Sequence, residues 1–281
     1  MVFNHDTTID PIQIILKSSQ GNKKNNSKNS SLSFELNETI VVPTNVNCYI
    51  QVESFKFLNS FYNINTTNNI FYYSMNFGIG FADIYGINIP IGNYNINSLV
   101  NFLNSQLAGS ITITSSSLTF KITLTSNNQF ILRNNLNNCL KILGFNYEDT
   151  LPSSTLESIN LFNLSGVQML YVAIPSLNLS SITSKNGALN NVIQDINIES
   201  VTGASQSFKN TTLSRYKVNN MLISNIDIDI YDEENSLVDF NNTQYFLNLS
   251  LIFSYKAEFK PDLTLDFKSD ENIPNDNIII N

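Results

Sequence analysis

The sequence has no Trp, one His and two Cys. Each scarcity removes a class of chemistry. With His5 as the only imidazole, a multi-His metal site is excluded, and a Ser-His arrangement would draw its base from the extreme N-terminus. Cys48 and Cys139 lie far apart and share no metal-ligand or redox spacing. They read as two buried free thiols, which fits synthesis in the cytoplasm. Charge is scarce too. Charged residues make up 14% of the chain, against roughly 25% in an average soluble domain. The 15 Lys and Arg are outnumbered by 23 Asp and Glu, for a net charge of -8. Such a chain has no general attraction to phosphate backbones or anionic lipid. No apolar run approaches the ~20 residues of a membrane span. Residues 1–10 lack the basic and apolar regions of a signal peptide. The sequons at Asn37, Asn65, Asn178 and Asn248 are therefore read as unglycosylated.

What is present is amide and apolar surface. Hydrophobic residues are 42% of 281, enough for one large all-β domain or two ordinary ones. Asn supplies roughly one residue in six, far above average usage. Asn, Ile, Phe and Tyr share A/T-rich codons, so the bias speaks of the genome rather than of the function.

Strand signals dominate both ends of the chain. Leu32, Phe34 and Leu36 alternate with polar residues, as do Cys48, Ile50 and Val52. Phe55 and Phe57 then fall on the opposite parity, which predicts a bulge near Glu53-Ser54. Val167–Ile174 is apolar on both faces and reads as a central strand. Ile226, Ile228 and Ile230 alternate with Asp227 and Asp229, and Tyr245–Tyr255 is the cleanest strand pattern in the chain. The middle differs. Ile96, Leu99, Val100, Leu103 and Leu107 form a helical stripe, with Asn95 as N-cap, Tyr94 and Leu99 as a staple and Gly109 as C-terminal stop. Strand signals follow at 111–113, 118–124 and 130–132, separated by the turns 115–117 and 126–128. A short second helix is expected near Leu136–Leu143, stopping at Gly144. Residues 1–30 read as an arm or an early strand with a solvated Lys-bearing linker, 177–207 as a long polar loop with brief strand signals at Val192–Ile198, and the acidic stretch from Lys260 as an extended or disordered tail.

No constellation carries catalysis. Gly78-Ile79-Gly80 lacks the remaining Gly and the Lys-Ser/Thr of a phosphate loop. Asp227, Asp229 and Asp232 are candidates for a weak Ca²⁺ site or, as a pair, for glycoside hydrolysis. Their alternation with Ile explains Asp227 and Asp229 more simply as the solvent face of a strand, and a turn explains Asp232-Glu233-Glu234. The Phe71-Tyr72-Tyr73 run has almost no Lys or Arg near it, which favours core or subunit packing over base stacking.

Three stretches resemble the penton, or minor capsid, proteins of virophages and Polinton-like viruses, most like the Mavirus group. They are Ile89-Pro90-Ile91-Gly92-Asn93-Tyr94-Asn95-Ile96 leading into the helix; Ile142-Leu143-Gly144-Phe145; and Ile226–Asp232 with Leu237-Val238-Asp239-Phe240-Asn241 and the strand 245–253. The likeness is one of order and texture over residues 30–257. It implies a single jelly roll, a homopentamer at the capsid vertices, contact with a double-jelly-roll major capsid protein, and an outward-projecting insertion. No Arg-Gly-Asp motif is present.

The expected fold is therefore mainly β: a single jelly-roll β-sandwich (31–71 and 166–257) interrupted by a small α+β unit (72–165), with an arm (1–30) and an acidic tail (258–281). The expected function is structural and non-enzymatic, in the virion, after synthesis in the host cytoplasm. The expected partners are further copies of the chain and the major capsid protein, not nucleic acid. No residue is assigned a catalytic, cofactor-binding or metal-binding role. The rivals are a receptor- or glycan-binding spike or fibre head, and a carbohydrate-active enzyme using Asp227 and Asp229.

Overall fold

The alternating stretches at the two ends of the chain pair with one another. The computed structural model describes residues 8–24, 28–78, 80–81, 83–179, 191–212 and 214–256. One sheet is ordered β1 (Thr8–Lys17), β15 (Tyr245–Tyr255), β4 (Val46–Leu58), then a strand in two pieces, β12 (Ser205–Lys209) and β13 (Tyr216–Val218), both paired with β4. The facing sheet runs β11 (Val192–Asn197), β10 (Met169–Ala173), β14 (Leu222–Tyr231), β3 (Ser31–Val41), with the two-residue β2 (Asn22–Lys23) beyond β3. Every pairing is antiparallel. With β12 and β13 counted as one strand and β2 left aside, the sandwich strands in chain order lie 1-8-3-6 in one sheet and 2-7-4-5 in the other. That is the order of a jelly roll, two Greek keys closed over one core.

The side-chain periods set which faces meet. In β15, Tyr245, Leu247, Leu249, Leu251 and Phe253 are buried, and in β14 Ile226, Ile228 and Ile230 are buried opposite them in the same core. The register of β15 on β4 skips between Asn248↔Ser54 and Leu249↔Val52. Glu53 is the extra residue of a bulge, which lets Val52 and Phe55 both point inward despite their opposite parity. At the end of the sandwich where β4 finishes, Phe55, Phe57, Phe61, Phe240 and Tyr245 form a continuous aromatic cluster, with neighbouring ring centroids 5.0–6.1 Å apart.

Between β4 and β10 the chain builds a second body with its own core. A sheet ordered β6 (Tyr85–Asn88), β5 (Ile70–Met75), β8 (Ile122–Leu132), β7 (Thr112–Ser115), with β9 (Ser153–Glu157) also on β8, packs against helix α1 (Ile96–Leu107). The helix buries Leu99, Val100, Leu103 and Leu107. Its start is a capping box: the Asn95 side chain accepts from the Ser98 amide at 2.9 Å and the Ser98 hydroxyl accepts from the Asn95 amide at 3.1 Å. Asn63 ties the two bodies. Its Nδ2 donates to the carbonyls of Tyr94 and Leu164, each at 2.8 Å, and its Oδ1 accepts from the Tyr94 amide at 2.9 Å. One side chain thus joins the incoming segment, the approach to the helix and the outgoing segment. The insertion core takes in Ile64 and Phe71, ahead of residue 72.

Several sequence expectations are corrected. Of the two readings of the N-terminal stretch, arm or early strand, Thr8–Lys17 takes the second: it is a sandwich edge strand paired with β15, with a register shift between Ile9 and Ile12. An edge strand needs a partner on one side only, and Ile14 and Leu16 bury their side chains against the core. The Lys linker is not simply solvated: Lys24 Nζ sits 2.7 Å from Asp229 and Lys28 Nζ 3.7 Å from Asp239. No second helix forms at Leu136–Leu143, which is a run of turns. There the Asn138 side chain donates to Asn134 Oδ1 and to the Asn135 carbonyl, both at 2.7 Å, so side chains compete for groups a helix would use. β8 runs unbroken through 126–128, read from sequence as a turn. In the loop 177–207 the strand signals at Val192–Ile198 are met by β11, while the start of β12 at Ser205 carried no such signal. His5 and the acidic tail lie outside the described residues.

Candidate interaction surface

Asp229 is not on a solvent face. It lies in β14 between β10 and β3 and is 8% exposed. Its Oδ1 takes the Lys24 ammonium at 2.7 Å and accepts from the Ser31 hydroxyl at 2.6 Å. Burial pushes the neighbouring Tyr231 phenol upward, and the Asp229 charge adds to it. Asp227 is half-buried, and its Oδ1 accepts from Asn225 Nδ2 at 3.3 Å. Asp232 Oδ1 accepts from the amides of Glu234 and Ser236 at 2.9 and 2.8 Å, closing the turn after β14. Burial nonetheless raises its carboxyl, with the two amides pulling the other way. The three carboxylates predicted as a Ca²⁺ site or catalytic pair are thus each engaged by protein donors. Among the described residues, no group of three or more His, Cys, Asp or Glu is placed to hold a metal ion.

The two thiols sit in different cores, Cys48 in the sandwich and Cys139 in the insertion, and both are free. Burial pushes Cys48 up to about 11 and Cys139 up to about 12, so neither is a thiolate near neutral pH.

The register gives the molecule two unlike ends. The insertion leaves after β4 and returns before β10, at the end that holds the aromatic cluster, Tyr245 and Phe57. At the opposite end β1 begins at Thr8, opposite Ser254, and β15 runs out where the Lys256 amide donates to the Asn45 carbonyl. The turn between β3 and β4 and the approach to β14 share that end.

Exposed apolar side chains gather rather than scatter. Val41, Met221 and Leu222 meet at the end opposite the insertion, where Leu222 pairs with Val41 and the Val42 amide donates to the Met221 carbonyl at 2.8 Å. Ile15 on β1 and Phe246 on β15 face outward from the first sheet, with Lys17 Nζ 6.0 Å from the Phe246 ring centroid. On the insertion, Leu118, Phe120, Ile159 and Leu161 lie together because the Phe162 amide donates to the Phe120 carbonyl and the Phe120 and Phe162 rings are 5.9 Å apart. Single exposed apolar residues are ordinary, whereas contiguous ones mark contact surfaces. The sequence carried a signal for the first group: 40–42 and 221–223 are each three consecutive apolar residues, which a strand cannot turn to one face.

No protein-family model matches the chain, and no curated protein matches it. Among solved structures, the chain is similar to the selenomethionine-labelled mavirus penton protein. The two are 13% identical with a TM-score of 0.45, over 88% of this chain and 100% of that one.

Proposed function

We propose that this protein is a non-enzymatic capsid protein that closes the five-fold vertices of an icosahedral shell, as a homopentamer set among double-jelly-roll major capsid proteins. The observation that carries the reading is the polarity of the jelly roll: the insertion sits at one end, and the first sandwich strand starts and the last one finishes at the other. A vertex subunit needs such an axis, with one end toward the outside and one toward the shell. The sides of the sandwich must then serve as ring contacts. A five-fold ring is closed and heterologous, so each subunit presents two different patches. The Ile15/Phe246 face is an apolar patch on one side of the sandwich, and the Val41/Met221/Leu222 corner is a second, at the end opposite the insertion, where the shell would lie. Scarce charge suits such surfaces, because burying an unpaired charge costs several kcal/mol. The sequence resemblance in the stretches 89–96, 142–145 and 226–253 points the same way.

The test is to assemble shells from this protein and the major capsid protein of the same virus and image them by cryo-electron microscopy. Density for a five-subunit jelly-roll ring at the vertices is expected, with the insertion on the outer side. Shells whose vertices close without this protein, or that carry it as a trimeric projection, would overturn the reading.

A further inference from the structure

The insertion carries a groove that neither the fold nor the vertex role uses. It has a volume of about 410 Å³ and is lined by Thr67, the turn Asn134–Asn138 and Tyr147. That volume lies in the range of small-ligand sites, about 300–1,000 Å³. The lining combines one exposed aromatic ring, one exposed Leu and a set of neutral amides. Tyr147 is 56% exposed and Leu136 77% exposed.

The groove's frame is rigid while its lining keeps free hydrogen-bonding capacity. Asn138 is 5% exposed and uses its whole carboxamide inward, donating twice and accepting from the Leu140 amide at 3.0 Å. Asn134 Nδ2 donates to the Tyr147 carbonyl at 2.8 Å, which fixes the aromatic residue against the turn. Below them, Asp149 accepts from Arg133 and from the Asn134 amide, each at 2.7 Å, and these donors hold its carboxyl below the usual range. That carboxylate is therefore already paired with a guanidinium. By contrast, among the described residues the Asn137 carboxamide finds no hydrogen-bond partner and Asn135 Nδ2 finds no acceptor. Asn137 stands at φ 61°, a left-handed conformation that Asn tolerates and most side chains do not.

We propose that this groove binds a neutral saccharide. Uncharged amide donors and acceptors match a sugar's hydroxyls. An exposed tyrosine ring offers a flat apolar face for the C–H side of a pyranose. A phosphate or carboxylate ligand finds the neighbouring cations already paired, Arg133 with Asp149 and Lys141 with Glu234. The pre-set turn lowers the ordering cost of binding, which matters for a shallow site with few contacts. The inference stands apart from the vertex reading, because it concerns the insertion alone and needs no ring.

The experiment is saturation-transfer NMR on the full chain, with methyl glycosides of glucose, galactose, mannose and N-acetylglucosamine as probes and glycerol as the non-saccharide control. At least one glycoside should show transfer concentrated on the ring C–H face. Tyr147→Ala should weaken it by about tenfold or more, as should Asn137→Gly, which keeps the left-handed backbone and removes only the carboxamide. Leu118→Ala, on the insertion but outside the groove, should leave it unchanged. No transfer above glycerol for any probe, or transfer that survives both groove variants, would overturn the proposal. Because the readout does not depend on subunit number, it fails or succeeds independently of the vertex assembly.

Discussion

Replacing Phe240 with Ala should lower the unfolding free energy of the sandwich by about 3–5 kcal/mol, the usual cost of emptying a large buried aromatic site. Phe240 is fully buried, with ring centroids 5.1 Å from Tyr245, 5.3 Å from Phe61 and 6.1 Å from Phe57. Its backbone is held as well: its carbonyl accepts from the Ser60 hydroxyl at 2.8 Å, from Thr243 Oγ1 at 2.7 Å and from the Thr243 amide at 2.8 Å. These bonds fix the backbone on both sides of the site, so the surroundings cannot collapse to fill the cavity. Denaturant unfolding followed by circular dichroism measures the loss. A change below about 1 kcal/mol would mean that the cluster packs loosely and does not stabilise the insertion end.

The second large effect is expected at Gly144. It stands at φ 84°, and a Cβ there would lie 2.3 Å from the Asn160 carbonyl oxygen and 3.0 Å from that of Leu161. Both are backbone atoms, and the segments are locked together by Asn160 N to Gly144 O at 2.9 Å and Asn163 N to Ile142 O at 2.8 Å. Gly144→Ala therefore combines a strained backbone, worth about 1–3 kcal/mol, with a contact relieved only by breaking those bonds. A loss of about 3 kcal/mol or more is expected, confined to the insertion. The two thiols report this separately, one from each core. Native-state thiol labelling should speed up at Cys139 and stay slow at Cys48. Equal acceleration at both would show that the two bodies open as one unit.

Gly144 is legible in the sequence as a stop, although it ends a run of turns rather than a helix. Apolar spacing at Leu136, Leu140 and Leu143 imitates a helix, and only the side-chain bonds of Asn138 reveal why the backbone turns instead. Where periodicity and capping agree, as at Asn95–Leu107, the element and its ends were both readable. The bulge at Glu53 was readable because a parity change admits few other solutions in a buried strand. The edge strand β1 was readable only as one of two options, because the inward pair Ile14 and Leu16 makes too weak a period to separate strand from arm. Asp229 misled for a different reason. Alternation placed it outward, and only the distant Lys24 and Ser31, brought over it by β2 and β3, make it a buried ion pair. Surface patches such as Val41 with Met221 and Leu222 exist only through strand pairing, so the sequence signals each half without joining them.

The native mass of the purified full chain, by native mass spectrometry at low micromolar concentration, tests the central claim most directly. A pentameric vertex protein gives a species of five times the 31.6 kDa chain mass, either alone or on addition of the major capsid protein. A stable trimer, or a monomer that stays monomeric when the major capsid protein is present, would contradict it.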